Sequence, residues 1–101
     1  MSWRMVCSLE GIPQPGSQVV QSAHGPVAVF RNAEDEVFAL LNRCPHKGGP
    51  LSKGTISGRT VECPLHGWVI CLDDGNAVDP DVGCVRSFPV KVEAGSVFID
   101  D

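Results

Sequence analysis

The sequence predicts an all-β fold, an antiparallel sandwich or barrel, and three observations support that prediction. Short runs rich in β-branched and aromatic residues recur along the chain, which is typical of strands. Segments such as GIPQPG, HGP, NAEDE and DDGN separate these runs, and their Gly, Pro, Asn and Asp residues favour chain reversal. No stretch keeps apolar residues at helical spacing. Many short strands separated in this way indicate a sandwich or barrel.

The strands can be assigned in chain order from the same patterns. The last two are predicted to form a hairpin, because two alternating runs flank a Gly-containing turn in VKVEAGSVFI. Between the fourth and fifth strands, GPLSKG has room for one short helical turn. We expect strands at WRMVC (3–7), SQVVQ (17–21), VAVFR (27–31), EVFALLN (36–42), RTVEC (59–63), WVICL (68–72), RSFPVKVE (86–93) and SVFID (96–100).

Length and charge narrow the function classes. A chain of 101 residues is expected to be one domain spanning residues 1–101, small enough to benefit from a bound metal centre. The formal net charge of −4 argues against a nucleic-acid partner. No apolar run is long enough to span a bilayer, so no membrane partner is expected. Residues 43–66 carry four cationic side chains against one carboxylate, which suits docking onto an acidic protein face.

Cysteine usage indicates a reducing compartment. The five cysteines are an odd number, and two of them lie beside histidines, which is more typical of metal binding than of a disulfide framework. With no charged-then-apolar leader pattern at the start, we expect a cytoplasmic protein. Cys7, Cys71 and Cys84 are predicted to be small buried hydrophobic residues, with a Cys71–Cys84 disulfide as the alternative.

Two short motifs each combine one Cys with one His. Cys44 and His46 lie in RCPHKGGPLS, and Cys63 and His66 lie in VECPLHGW. Thiolate and imidazole together suit zinc or an iron–sulfur cluster. A structural zinc site usually draws on pairs two to four residues apart, whereas here each pair mixes Cys with His. A two-iron cluster needs two donors per iron, so both cysteines on one iron and both histidines on the other fits this spacing better.

The two motifs resemble the Rieske [2Fe–2S] signature, in CPHKGGPLS and CPLHGW. The resemblance implies a Rieske-type antiparallel β-sandwich or barrel with a cluster-binding subdomain of two loops at about 43–70. It also implies one [2Fe–2S] cluster per chain, held by Cys44, His46, Cys63 and His66, and an electron-transfer role with no catalytic residues. The outer imidazole edges of the two histidines are then expected to pass the electron, with Trp68 packing beneath the cluster.

Over most of the chain the sequence is similar to the small subunit of cytoplasmic NAD(P)H-dependent nitrite reductase, in CPHKGGPLSKG, CPLHGWVI and DDGNAVDPDVGCVRSFPVKVE. That resemblance implies a large partner subunit with FAD, a [4Fe–4S] cluster and sirohaem, which reduces nitrite to ammonia. A Rieske ferredoxin that delivers electrons to a ring-hydroxylating oxygenase is the first alternative. A zinc-stapled interaction module with no redox role is the alternative from another class.

Overall fold

The computed structural model describes residues 3–45, 49–64, 67–78 and 82–101. Within these ranges the chain forms antiparallel strands and two short 3₁₀ helices, Leu9–Gly11 and Leu51–Lys53, so the all-β prediction is confirmed. The strands are β1 Trp3–Ser8, β2 Gly16–Ser22, β3 Gly25–Arg31, β4 Val37–Leu41, β5 Thr55–Ser57, β6 Thr60–Glu62, β7 Val69–Cys71, β8 Ser87–Phe88, β9 Val90–Glu93 and β10 Ser96–Asp100.

The strands form three sheets, and the four-stranded sheet packs between the other two. Their orders are β1-β10-β9, β2-β3-β4-β8 and β5-β6-β7. Strand β3 is buried on both faces: Val27 and Val29 join the core beneath β10, whereas Ala28 and Phe30 join the core beneath β6 and β7. Because neighbouring side chains of a strand point to opposite faces, the four-stranded sheet is the middle layer.

The predicted strand at 86–93 is two strands in different sheets, and this corrects the sequence-based assignment. Ser87–Phe88 pairs with β4, whereas Val90–Glu93 pairs with β10. Pro89 lies between them and has no N–H to donate to a ladder, while its carbonyl accepts the N–H of Asp100 at 3.1 Å. The chain therefore changes sheets at the proline.

The hairpin of β9 and β10 is confirmed, with Ser96 opposite Glu93. Its two turn residues, Ala94 and Gly95, have φ angles of 50° and 78°. Positive φ at both positions gives the turn the twist that joins neighbouring antiparallel strands.

Residues 42–86 leave the middle sheet and return to it at one point. Strands β4 and β8 are neighbours there, and the N–H of Leu41 donates to the carbonyl of Arg86 at 2.8 Å. The segment between them contains the β5-β6-β7 sheet and both Cys/His motifs. The motif-bearing region is therefore closed at its base by a backbone hydrogen bond.

A buried amide fastens this segment to the middle sheet. Asn32 is fully buried, and its Nδ2 donates to Glu36 Oε1 at 2.9 Å and to the Gly58 carbonyl at 3.1 Å. Arg59, next in the β5–β6 turn, donates from Nε to the same Glu36 carboxylate at 3.1 Å and forms an ion pair with it. The β3–β4 turn and the β5–β6 turn are thus held together.

Among the described residues there is no helix with the length and apolar character needed to cross a membrane.

Candidate metal centre

Cys44 lies in the first cysteine loop, residues 42–54, which begins as β4 ends. Its N–H donates to the Gly49 carbonyl at 2.7 Å, so the backbone closes over the three residues between Pro45 and Gly49. Asn42 anchors the start of the loop, because its Oδ1 accepts the N–H of Ser52 at 2.8 Å. The base of the loop is therefore fixed by hydrogen bonds at both ends.

Cys63 lies in the second cysteine loop, residues 63–68, and this loop closes in the same way. The Cys63 N–H donates to the Trp68 carbonyl at 2.7 Å, and Gly67 returns a hydrogen bond to the Cys63 carbonyl at 3.1 Å. In both loops the cysteine N–H thus bonds the carbonyl five residues further along the chain. The two Cys/His motifs are similar in backbone closure as well as in sequence.

Both thiols belong to a single apolar core. Cys44 and Cys63 are each only 1% exposed, and they share a cluster with Leu51, Val61 and Leu72. An apolar, water-free environment is unfavourable for a bare thiolate, but it suits a thiolate whose charge is balanced by a metal. Two buried thiols, each at the start of a closed loop, fit the cysteine half of the predicted ligand set.

His46 and His66 lie outside the described residues, together with Lys47, Gly48 and Leu65. Their predicted roles as ligands and as the route of the electron therefore stay predictions. Each histidine falls within a stretch that a cysteine N–H closes, at residues 44–49 and 63–68.

A third segment, residues 82–85, lies against both cysteine loops, and the sequence patterns did not indicate this. A Cβ added to Gly83 would lie 3.3 Å from Pro45 Cβ and 3.5 Å from Trp68 Cζ3. The carbonyl of Gly83 accepts the N–H of Ala77 at 2.9 Å, which holds the segment in place. We call residues 82–85 the covering segment. Glycine at the contact point was the one available signal, because it permits close backbone approach.

Trp68 packs against the core cluster that contains both buried thiols. Its predicted packing beneath the iron–sulfur cluster stays a prediction.

The three remaining cysteines were all expected to be buried, but their environments differ. Cys71 and Cys84 form no disulfide with each other, so that alternative is wrong. Burial raises the pKa of the Cys7 thiol, and burial followed by the charges of Asp74 and Asp73 raises that of Cys71. Cys84 is exposed, which corrects its prediction as a buried residue. An isolated bridge pairs Cys84 of the covering segment with Asn76.

The basic character predicted for residues 43–66 is partly neutralised. Arg59 is bound to Glu36 from the β3–β4 turn, and this ion pair lowers the pKa of the Glu36 carboxyl. Arg43 and Lys53 form no ion pair within the described part of the chain. Within residues 43–66, the described cations that carry no ion pair therefore lie on the first cysteine loop.

Comparison with known proteins identifies the family. The model of the Rieske [2Fe–2S] domain matches residues 2–89. The chain belongs to the Rieske [2Fe–2S] family. Its cofactor is a [2Fe–2S] cluster, which confirms the cofactor prediction, and the buried donor pair of the Rieske domain agrees with it.

The relatives of this Rieske domain include electron-transfer subunits of two kinds. It is 34% identical over 101 residues to a 3-phenylpropionate/cinnamic acid dioxygenase ferredoxin subunit of Photorhabdus laumondii, covering 98% of this chain and 94% of the relative. The structure of a Sphingomonas yanoikuyae B1 ferredoxin superposes with a TM-score of 0.85 at 28% identity, covering 99% of both chains. A Mycobacterium tuberculosis protein described as an NADH-dependent nitrite reductase small subunit superposes with a TM-score of 0.87 at 26% identity, covering 97% of this chain and 93% of its own.

Proposed function

We propose that this Rieske protein is a ferredoxin that delivers electrons to the terminal oxygenase of a ring-hydroxylating dioxygenase. The observation that supports the proposal is the 34% identity to a dioxygenase ferredoxin subunit, which extends over 98% of this chain and 94% of the relative. The match extends over nearly the full length of both proteins and is not confined to the cysteine loops. The preference for nitrite reductase drawn from the sequence motifs therefore becomes the second candidate.

We propose Cys44, Cys63, His46 and His66 as the cluster ligands, with both cysteines on one iron and both histidines on the other. When bound, a [2Fe–2S] cluster with this mixed ligation gains and loses one electron at a time. The chain contributes rigid positions for the donors, because each cysteine N–H is committed to closing its own loop. Burial of both thiols, each 1% exposed, keeps water from the sulfur side.

The covering segment completes the enclosure in this proposal. Gly83 contacts Pro45 of the first cysteine loop and Trp68 of the second, so one short segment restrains both. A donor set that shifts little when an electron arrives favours fast transfer, and preorganisation by surrounding packing is the usual source of such rigidity.

The cluster is tested on protein purified without oxygen. Two iron and two sulfide per chain, with a rhombic electron paramagnetic resonance signal of low average g after dithionite reduction, are expected for mixed His/Cys ligation. Cys44→Ser and His66→Ala should each lose this signal, whereas Cys84→Ser, which changes an exposed cysteine, should keep it. One tightly bound zinc and no signal would instead support the zinc-stapled module.

The partner is tested by direct electron transfer. The dithionite-reduced protein is mixed in a stopped-flow instrument with the terminal oxygenase of its host, and reoxidation is followed by visible absorbance. Fast reoxidation at low salt, with product formed from the aromatic substrate under turnover, is expected. Equal reoxidation by an unrelated oxidised protein of similar charge would count against a specific oxygenase partner.

The second candidate is the small subunit of an NAD(P)H-dependent nitrite reductase, in contact with a large subunit that holds FAD, a [4Fe–4S] cluster and sirohaem. The likeness to the Mycobacterium tuberculosis protein, at 26% identity and a TM-score of 0.87, favours it. Stable co-purification with the large subunit, and nitrite-dependent NADH oxidation that requires this chain, would establish this candidate in place of the oxygenase ferredoxin.

A further inference from the structure

A notch of about 240 Å³ opens beside the first cysteine loop. It is lined by residues from the β2–β3 turn and from the end of β4, namely His24, Pro26, Leu41, Asn42 and Arg43. Arg43 precedes the buried Cys44 directly in sequence. A side chain seated in the notch would therefore stand at the base of the loop that we assign to the cluster.

The described residues that line the notch offer donors and cations but no carboxylate. The Asn42 side chain accepts the Ser52 N–H with its Oδ1, so its Nδ2 hydrogens remain as donors, and no described residue accepts them. His24 and Arg43 add an imidazole and a guanidinium. Such a set is complementary to a carboxylate, which only accepts hydrogen bonds.

Two described cations that carry no ion pair, Arg43 and Arg86, lie at or beside this notch. Within the described ranges, four cationic side chains bind carboxylates, those of Arg4, Arg31, Arg59 and Lys91. The others are Arg43, Lys53 and Arg86. Arg43 lines the notch, and the Arg86 carbonyl bonds the N–H of Leu41 in its wall.

Aromatic contacts connect the Arg86 side chain to the same surface. Its Cζ lies 5.3 Å from the centre of the Phe88 ring, and the His24 ring lies 5.8 Å from the same centre. The pKa of the Asp101 carboxyl is lowered mainly by its hydrogen bond to Arg4, and His24 makes the smallest contribution. The Arg4 and Asp101 side chains are 2.6 Å apart, so Asp101 is already neutralised.

The turn that carries His24 is fixed before any partner arrives. The Ser22 hydroxyl accepts the His24 N–H at 3.0 Å and donates to the Gly25 carbonyl at 2.8 Å. Asn42 N–H donates to Pro26 O at 2.9 Å, which closes the opposite wall. A preformed site loses little conformational freedom when it binds.

We propose that this notch is the docking point for an acidic segment of the redox partner, with one aspartate or glutamate side chain seated between His24, Asn42 and Arg43. The identity of the partner rests on the proposed electron-transfer function. The contact itself adds a specific anchor beside the first cysteine loop.

The test uses the oxidised holoprotein and a peptide probe, acetyl-Asp-Glu-Glu-Asp-amide, at pH 7 and low salt. The chain has three histidines, and His24 is the one not assigned to the cluster, so its imidazole gives a separate nuclear magnetic resonance signal to follow. A saturable shift of that signal is expected with the acidic peptide and none with acetyl-Asn-Gln-Gln-Asn-amide. Because salt screens exposed charges, the shift should weaken severalfold at high salt.

Two variants probe the walls of the notch, and a third is the matched control. Arg43→Gln should weaken the binding of the acidic peptide about twofold to fivefold, the upper part of the range for an exposed charge contact. Asn42→Asp keeps the oxygen that accepts Ser52 N–H but places a carboxylate in the notch, so it should abolish the shift. Lys91→Gln removes the same charge from the β9–β10–β1 sheet and should change the binding less than twofold.

The proposal is overturned by no shift of the His24 signal, by equal shifts with the acidic and amide peptides, or by equal weakening in Arg43→Gln and Lys91→Gln. Succinate binding as tightly as the peptide would overturn it too, because it would make the notch a small-molecule site. The titration needs no electron transfer, so its failure would leave the ferredoxin proposal standing. Failure of the oxygenase assay would likewise leave the peptide result standing.

Discussion

Replacing Gly75 with Ala tests whether the covering segment is held in place by one close crossing of backbones. A Cβ on Gly75 would lie 2.1 Å from the Val85 carbonyl oxygen, and the φ of Gly75 is +78°. Gly95 has the same φ of +78°, but nothing lies within 4 Å of its Cβ position. Gly95→Ala therefore introduces backbone strain alone, and Gly75→Ala introduces the same strain together with a collision.

The expected cost of each change follows from that difference. A left-handed backbone costs a residue with a Cβ roughly 1–2 kcal/mol, and the stiffer unfolded chain offsets part of it, so Gly95→Ala should cost about 1 kcal/mol. Gly75→Ala must also displace Val85 by about 1 Å to restore normal contact. This breaks the 2.9 Å hydrogen bond from Val85 N–H to the Gly75 carbonyl and disturbs a core side chain that is 8% exposed. Together these effects should cost about 3–4 kcal/mol.

Thermal unfolding measured by circular dichroism at one scan rate separates the two variants. About 1 kcal/mol shifts the Tm of a domain of this size by roughly 4–8 °C. We therefore expect a fall of about 5 °C for Gly95→Ala and of about 15 °C or more for Gly75→Ala. Visible absorbance should show Gly75→Ala releasing the cluster earlier, because the covering segment contacts both cysteine loops. Melting temperatures that agree to within about 5 °C would refute the close crossing.

Other changes test the contacts of Asn32 and Glu36 that join the β3–β4 turn to the β5–β6 turn, and the remaining thiols. Asn32→Ala should destabilise the protein by about 2–4 kcal/mol, measured by denaturant unfolding, because it leaves the Glu36 N–H and its neighbours without a buried acceptor. Glu36→Gln should lower the Tm at pH 7. Arg59 lowers the pKa of the Glu36 carboxyl from its usual 4.5, so the stabilisation by the carboxylate is fully present above 4.5 and is lost as the pH falls through the lowered pKa. The difference in Tm between the variant and the original protein should shrink over that range. Iodoacetamide at pH 8 should label exposed Cys84 before Cys7, whose pKa is raised by burial, as mass spectrometry of the holoprotein would show; the reverse order would contradict their positions.

The strands were predictable from the sequence where local pattern and turn chemistry agree. The β9–β10 hairpin is an example, because alternation on both sides of Ala94–Gly95 defines pairing and turn together. The break at Pro89 was missed because the chain changes sheets there, and which sheet a strand joins depends on which strands are its neighbours in space. Strand β5, Thr55–Ser57, was missed because it lies between two glycines, Gly54 and Gly58, which are typical of turns.

The candidate site shows the same division between local and non-local information. Cys44 and Cys63 could be proposed as ligands because two donors of the right chemistry recur in similar short motifs. The contact of Gly83 with Pro45 and Trp68 joins residues distant in sequence, and no local pattern reports it. The proposed partner class differs from the one that the motifs indicated, because the 34% identity to a dioxygenase ferredoxin subunit over 98% of the chain favours the oxygenase, and short motifs shared by both kinds of Rieske protein do not separate them.

The backbone hydrogen bond between Leu41 and Arg86 has a consequence for how such proteins diversify. Since the chain enters and leaves residues 42–86 at adjacent points of the middle sheet, that segment can lengthen, shorten or be exchanged between relatives without altering the pairing of strands outside it. The segment does not form its hydrophobic core alone, however, because Phe30 of β3 packs in the same core as the two thiols. The unit that recombination can transfer intact is therefore the inserted segment together with the inward-facing residues of one strand of its host.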